Sequence, residues 1–181
     1  PPSDGRVICV DEFGPLEIRP YPGYHWAKSG EPQRFPATYH RDQGTMTLFA
    51  ALDLKEDLLL GHGKHRKSWR ELLVFLKYLR SRYPEEERLY LVLDNFSPHH
   101  RQEIVDWAAA NNVELVYTPT YASWLNRIEC HFAPLRKFAL SGVYYADHKA
   151  QMRGIRRYIG WRNRHKRDER ILKEQAKVRV A

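Results

Sequence analysis

The sequence predicts an α/β fold, a mixed five-stranded sheet flanked by helices, and three observations carry that reading. Three short apolar stretches follow one another along the first third of the chain, as in an antiparallel meander. Two further apolar stretches then alternate with amphipathic segments, as in parallel crossovers. Turn and capping residues separate nearly all of them. The predicted order is β-β-β-α-β-α-β-α-α.

Taken in order, Arg6–Val10 is a buried strand that ends at Asp11. Pro15–Asp42 mixes Pro, Gly, Tyr and charge and reads as a long loop holding at most a hairpin. Thr45–Leu52 and Leu58–Leu60 are the next strands, with Asp53–Asp57 as the turn between them. Ser68, followed three residues later by Glu71, forms a capping box that opens a helix. Trp69, Leu72, Leu73, Leu76, Leu79 and Tyr83 fall at its inward spacing, and Pro84 stops it. Leu89–Leu93 is the most apolar strand and again ends in an aspartate, Asp94. Ser97-Pro98 offers an N-cap and a proline at the first helical position. The helix that follows turns Ile104, Val105 and Ala108 inward and ends near Asn111-Asn112. Val113–Tyr117 is the fifth strand. A helix from about Asn126 carries Ile128, Phe132, Leu135 and Ala139 on one face, with Glu129 one turn in and Pro134 as a kink. The last helix starts near Asp147 and turns Met152, Ile155, Ile159 and Arg162 to one side.

Composition narrows the function. The 181 residues are 43% hydrophobic and include five Trp, which excludes a disordered chain. No apolar run approaches the roughly 20 residues of a membrane span, no signal peptide opens the chain, and two cysteines make no disulfide scaffold. Cys9 and Cys130 are expected to be reduced thiols in the cytoplasm. The net charge of +8 is unevenly placed: residues 147–181 hold 12 Lys+Arg against 4 Asp+Glu, while the rest is balanced. A neutral body with a basic end points to a polyanionic partner. Residues 1–5 read as a linker or cut end, 6–146 as the core, and 147–181 as a basic helix and tail.

Asp11 and Asp94 follow buried strands directly, where open α/β sheets form their binding crevice. Two such carboxylates brought together repel each other unless cations bind between them. With Glu129 they make a set of three oxygen donors from separate elements, which suits magnesium. Taken singly, an aspartate after a strand is more often a turn residue, and a helical glutamate is more often solvated. There is no Cys-x-x-Cys pair and His62-x-x-His65 stands alone, so zinc is not expected beside His131 and Cys130. No Gly-x-Ser-x-Gly and no phosphate-cradling glycine loop is present, which ranks hydrolases and nucleotide-binding enzymes last.

Three strings place these residues in context: Val10-Asp11-Glu12, Leu93-Asp94-Asn95-Phe96-Ser97-Pro98-His99, and the run from Pro119 to Glu129 containing Trp124-Leu125-Asn126-Arg127-Ile128-Glu129. Together they resemble the catalytic motifs of mariner-like transposases, in particular their bacterial insertion-sequence branch. The 34 residues between Asp94 and Glu129 match that superfamily's spacing, and Gly23–Pro32 looks like its insert after the first strand. The likeness covers roughly residues 6–165; Arg127 departs from a common proline, and Pro134 lies inside the Glu-bearing helix.

The resemblance implies a ribonuclease H-like fold, shared with retroviral integrases. It implies an Asp11, Asp94, Glu129 triad holding two Mg²⁺ ions, with Mn²⁺ substituting. The implied activity is cleavage at transposon ends and joining of the 3′-hydroxyl ends to target DNA, on double-stranded DNA and by a homodimer. The expected place is the cytoplasm, at the nucleoid. Such transposases carry N-terminal helix-turn-helix domains, and nothing before Arg6 forms one, so the chain reads as a catalytic domain alone.

Other residues take lesser roles. Asn95, His99 and Asn126 are candidates to support the triad, although each is also a candidate cap. Glu12 faces away from Asp11 if the strand continues, and reads as structural rather than as a ligand. Lys64, Arg66 and Lys67, with Arg153, Arg156, Arg157, Arg162, Arg164, Lys166 and Arg167, are candidate phosphate contacts. Trp124 is a candidate base-stacking residue, with a core or loop-anchor role weighed equally. Two other readings remain open: a ribonuclease H-like structure-specific nuclease, and an inactive DNA-binding remnant.

Overall fold

The computed structural model describes residues 5–21, 23–24, 27–32, 34–36 and 43–165. Five strands, β1 (Gly5–Glu17), β2 (Thr45–Asp53), β3 (Leu58–Lys64), β4 (Arg88–Leu93) and β5 (Val113–Tyr117), form one sheet in the order β3-β2-β1-β4-β5. β1, β2 and β3 pair antiparallel, whereas β4 runs parallel to both β1 and β5. Among the described residues four α-helices cover it: α1 (Trp69–Arg80), α2 (Gln102–Ala110), α3 (Glu129–Ala139) and α4 (His148–Arg164).

Side-chain alternation sorts the core into two layers. Ile8, Val10, Phe49 and Ala51 pack with α1 and α2 through Leu72, Phe75, Leu76, Leu79, Ile104 and Ala108. Cys9, Phe13, Leu48, Ala50 and Leu52 pack with Ile128, just ahead of α3, and with α3 and α4 through Phe132, Leu135, Met152, Ile155 and Ile159. Both cysteines are free, Cys9 buried and Cys130 exposed. Among the described residues no helix is long and apolar enough to cross a membrane.

Several elements depart from expectation. β1 runs past Asp11 to Glu17, with a register shift between Phe13 and Leu16 that absorbs Gly14-Pro15. Asp11 is therefore within a strand, but two residues beyond Cys9↔Val92, the last pair that β1 makes with β4. β3 continues past the expected Leu60 to Lys64, through Gly61 and Gly63. Their role is close approach: a Cβ at Gly63 would stand 2.6 Å from the Met152 sulfur, and one at Gly61 3.1 Å from Ile159. The glycines let α4 lie against the edge strand.

Ser68 caps α1, accepting from the Glu71 amide at 3.4 Å. The helix ends at Arg80, before Tyr83 and Pro84, so Tyr83 is not on its inward stripe. Ser97-Pro98 opens a 3₁₀ turn, Ser97–His100, rather than α2, and Ser97 caps neither; Val105 is exposed, not inward. Asp147 caps α4 as expected, accepting from the Ala150 amide at 2.6 Å. Between β1 and β2 the described residues hold bends, turns and two isolated bridges, Tyr21 with Ser141 and Lys28 with Glu31. His25 and Trp26 of the expected insert lie outside the described residues, as do Lys166 and Arg167.

At the far end of the sheet from Asp94, Asp53 is fully buried. Its Oδ2 accepts from Arg6 at 2.6 Å and from the Tyr83 hydroxyl at 3.1 Å. Its Oδ1 accepts from the Lys55 and Glu56 amides at 2.9 and 3.2 Å, closing the β2–β3 turn. Removing Asp53 leaves Arg6 with Glu87, to which it donates at 3.1 Å, and takes the acceptor from the Tyr83 hydroxyl and from the Lys55 and Glu56 amides. Asp53→Ala is expected to cost about 1–3 kcal/mol of unfolding free energy, read by urea denaturation; no measurable loss would mean that Glu87 and solvent satisfy the groups that Asp53 holds.

Candidate active site

The parallel pairing of β1 and β4 brings Asp11 and Asp94 to the same end of the sheet. Glu129 is the first residue of α3, not one turn in as its sequence suggests, and is near enough for its charge to act on Asp11. A carboxylate in the first turn is favoured by the helix dipole. Asn126 does not cap that helix with its side chain: its amide is fully buried and donates to the Val10 carbonyl at 2.9 Å. The Asn126 carbonyl in turn accepts from the Glu129 amide at 3.1 Å. One residue thus ties the strand position before Asp11 to the start of the Glu129 helix.

Asp11 is 7% exposed. Its Oδ1 accepts from the Glu12 amide at 2.7 Å, while Oδ2 is buried with no hydrogen-bond partner. Burial, with the charges of Glu129, Asp94 and Glu12, pushes the Asp11 carboxyl up to about 7. Asp94 goes the other way: the hydrogen bond from His99 holds its carboxyl below the usual range. That bond joins Asp94 Oδ1 to His99 Nδ1 at 2.8 Å, and the same oxygen accepts from the Phe96 amide at 3.2 Å.

His99 is fully buried. Its Nε2 stands 3.1 Å from Glu12 Oε1, on the α1/α2 side of the sheet. Burial opposes its protonation, but the hydrogen bonds to Asp94 and Glu12 overcome that and push His99 up to about 10. Asn95 turns its amide onto the Thr118 carbonyl and so links the ends of β4 and β5. Sequence reasoning sets Glu12 aside; its buried contact to His99 spans 87 positions and leaves no local signal.

The candidate DNA contacts divide. Arg66, Arg153, Arg156, Arg157 and Arg164 are exposed, the last four on one helix. Lys64 pairs with Glu71 at 3.0 Å, and Lys67 stands 3.7 Å from Glu12 and 4.1 Å over the Phe96 ring. Arg162 is committed to Asp57, at the β2–β3 turn. Trp124 is 73% exposed, which removes the core reading, and its neighbour Tyr121 is 92% exposed with φ +61°.

Among the described residues no three His, Cys, Asp or Glu side chains are gathered closely enough to cage an ion unaided. The donor set nonetheless fits magnesium, which takes few protein carboxylates and fills its other positions with water and phosphate. The orphaned Asp11 Oδ2 is the observation that supports the fit.

Residues 6–151 match the family described as DDE superfamily endonuclease. The chain belongs to that family. The insertion element IS630 uncharacterized 39 kDa protein of Shigella sonnei is 24% identical to this DDE chain over 128 residues, 70% of the chain and 36% of the relative. The Mos1 strand transfer complex superposes with a TM-score of 0.65 at 17% identity, over 92% of this chain and 52% of that one. The Mos1 mariner paired end complex with Mn gives 0.64 at 18%, over 91% and 53%. A simian T-cell lymphotropic virus intasome chain gives 0.50 at 12%, over 78% and 48%. These likenesses, with the 3-2-1-4-5 sheet, show the ribonuclease H-like fold. The DDE chain spans about half the length of the solved structures and about a third of the insertion-element protein.

The raised Asp11 pKa has a consequence for stability. A carboxyl that ionises less readily folded than unfolded contributes stability fully present below about pH 4 and lost as pH rises through about 7. Without divalent ions the thermal midpoint should fall between pH 5 and 7, and Asp11→Asn should remove that part of the slope. Mg²⁺ should raise the midpoint more at pH 7 than at pH 5, because protons and metal compete for the same oxygens. A midpoint indifferent to Mg²⁺ at both pH values would exclude Asp11 as a ligand.

Proposed function

We propose that this chain is the catalytic domain of a DNA transposase. It cuts DNA at transposon ends and joins the freed 3′-hydroxyl ends to target DNA, acting as a homodimer on DNA. The observation that carries this reading is the convergence of Asp11, Asp94 and Glu129 at one end of a ribonuclease H-like sheet, with one Asp11 oxygen buried and unpartnered. The three carboxylates would hold two Mg²⁺ ions, or Mn²⁺ in their place. Once bound, the ions supply Lewis-acid activation of an attacking oxygen and stabilisation of the leaving oxygen at phosphorus.

The chain's own residues supply the positioning. Asn126 fixes the distance between the Asp11 strand and the Glu129 helix. His99 holds one oxygen of Asp94, so the other is the atom open to a ligand. Burial around Asp11 keeps bulk water from screening the charges. Arg153, Arg156, Arg157 and Arg164 form an exposed basic face on α4 suited to a phosphate backbone, with Arg66 near the start of α1 as a second contact. Trp124 and Tyr121 offer exposed rings beside the Glu129 helix for stacking on an unpaired base. Lys64 and Lys67 serve the same phosphates from partly neutralised positions.

Asp94→Asn should leave the circular dichroism spectrum unchanged, abolish Mn²⁺ binding measured by calorimetry, and reduce metal-dependent cleavage of duplex DNA to background. Full cleavage by a folded Asp94→Asn chain would overturn the reading. Cleavage of RNA–DNA hybrids but not of duplex ends would assign the same triad to a different nuclease. Replacing Arg153, Arg156, Arg157 and Arg164 by Ala should lower the salt slope of duplex binding by about 0.9 for every phosphate no longer neutralised. An unchanged slope would move the DNA path off α4.

A further inference from the structure

Glu12 enters the sheet next to Asp11 yet belongs to neither core layer. Its side chain is 3% exposed, and a carboxylate so deep needs a reason. Oε1 lies 3.1 Å from His99 Nε2; Oε2 is buried without a hydrogen-bond partner, its nearest cation the Lys67 ammonium at 3.7 Å. Glu12 also borders a cavity of about 300 Å³ walled by Gly14, Pro15, Thr45, Thr47, His65 and Lys67. The other ring nitrogen of His99 lies 2.8 Å from Asp94 Oδ1 and 3.1 Å from the Asp94 carbonyl.

An imidazole between two carboxylate oxygens must donate from both nitrogens to satisfy both. Its plane is then fixed by Glu12 on one side and Asp94 on the other. His99 follows β4 within the 3₁₀ turn, and Tyr117 donates to its backbone carbonyl at 2.9 Å, so the backbone is tethered while the ring orientation depends on what Nε2 meets. Removing Glu12 would leave Nε2 a buried unpaired donor. The ring would turn, and Asp94 Oδ1 would lose its clamp.

Building on the proposed metal-dependent reaction, we infer that Glu12 is a positioning residue: acting through His99, it holds Asp94 Oδ1 and so presents Oδ2 to the metal. Glu12 touches neither metal nor DNA in this role. Groups that hydrogen-bond to metal ligands set the ligands' orientation, and their loss typically costs metal affinity on the order of 10–100-fold.

The test is a double-mutant cycle on Mn²⁺ affinity, measured by calorimetry on the 181-residue chain with circular dichroism on every variant. Glu12→Ala should weaken Mn²⁺ binding by on the order of 10–100-fold. Glu12→Gln, which keeps one acceptor oxygen for the ring, should recover most of that loss. In a His99→Gln background, Glu12→Ala should cost no further affinity, because its only route to Asp94 is gone. Additive losses would overturn the inference and make Glu12 a packing or Lys67-holding residue. So would unchanged affinity in a folded Glu12→Ala chain. If Glu12→Ala does not fold, the cycle runs with Glu12→Gln, whose smaller loss must likewise vanish beside His99→Gln; if it persists, the inference fails. Asp94→Asn separates the two readings. Binding abolished there but untouched by Glu12→Ala removes only the role of Glu12. Binding indifferent to Asp94→Asn removes the metal site and the role of Glu12 together.

Discussion

The double allegiance of β1 governs the molecule. On one side it pairs antiparallel with β2, on the other parallel with β4, and both faces are buried. The two pairings do not have the same length. β2 accompanies β1 to Glu17, whereas β4 leaves it after Cys9. Beyond that point the backbone of β1 keeps its extended form, held from one side only. Asp11 and Glu12 fall in this stretch, on opposite faces. The departure of β4 makes room beside them for Asp94, His99 and the start of α3. An acidic site inside a sheet exists because one neighbour stops early.

The electrostatics follow from that geometry. Desolvation and three nearby carboxylates oppose ionisation of Asp11, and one backbone amide favours it. Asp94, partly exposed and paired with His99, is stabilised as an anion. Two aspartates at one end of the sheet thus have opposite tendencies, set by what surrounds each carboxyl. Asp53 gives the contrast within the same chain. It is buried more deeply than either, but Arg6, Tyr83 and two amides satisfy it. The saturated Asp53 stabilises a turn, whereas Asp11 keeps one buried oxygen without a hydrogen-bond partner.

The order of elements along the chain and the main helices are legible in the sequence because they rest on local signals: apolar runs, the Ser68 and Asp147 caps, the stripe of Ile128, Phe132 and Leu135. The aspartates are legible because each directly follows an apolar run. Reading fails where a distant partner decides the outcome. The third strand is expected to end at Leu60, but it runs on through Gly61 and Gly63, where α4, about ninety residues later, packs close. Ser97-Pro98 has the residues of a helix start, yet the burial of His99 spends that turn on a 3₁₀ segment. Asn126 has a capping side chain that is drawn instead to Val10, 116 positions away. Glu12 faces away from Asp11, as the strand period requires; what it faces is His99, which no local pattern announces.

The edge of the sheet at β3 has its own partner in α4. The Asn163 side chain accepts from the Leu59 amide at 3.0 Å and donates to the Leu59 carbonyl at 2.7 Å. This is the pattern that a neighbouring strand would make, supplied by one side-chain amide. A chain seeking to add a strand at this edge meets a position already filled, with the helix above it. The opposite edge is β5, five residues long, with Val116 37% exposed. A visiting strand at the β3 edge would have to displace Asn163 from Leu59 before it could pair there.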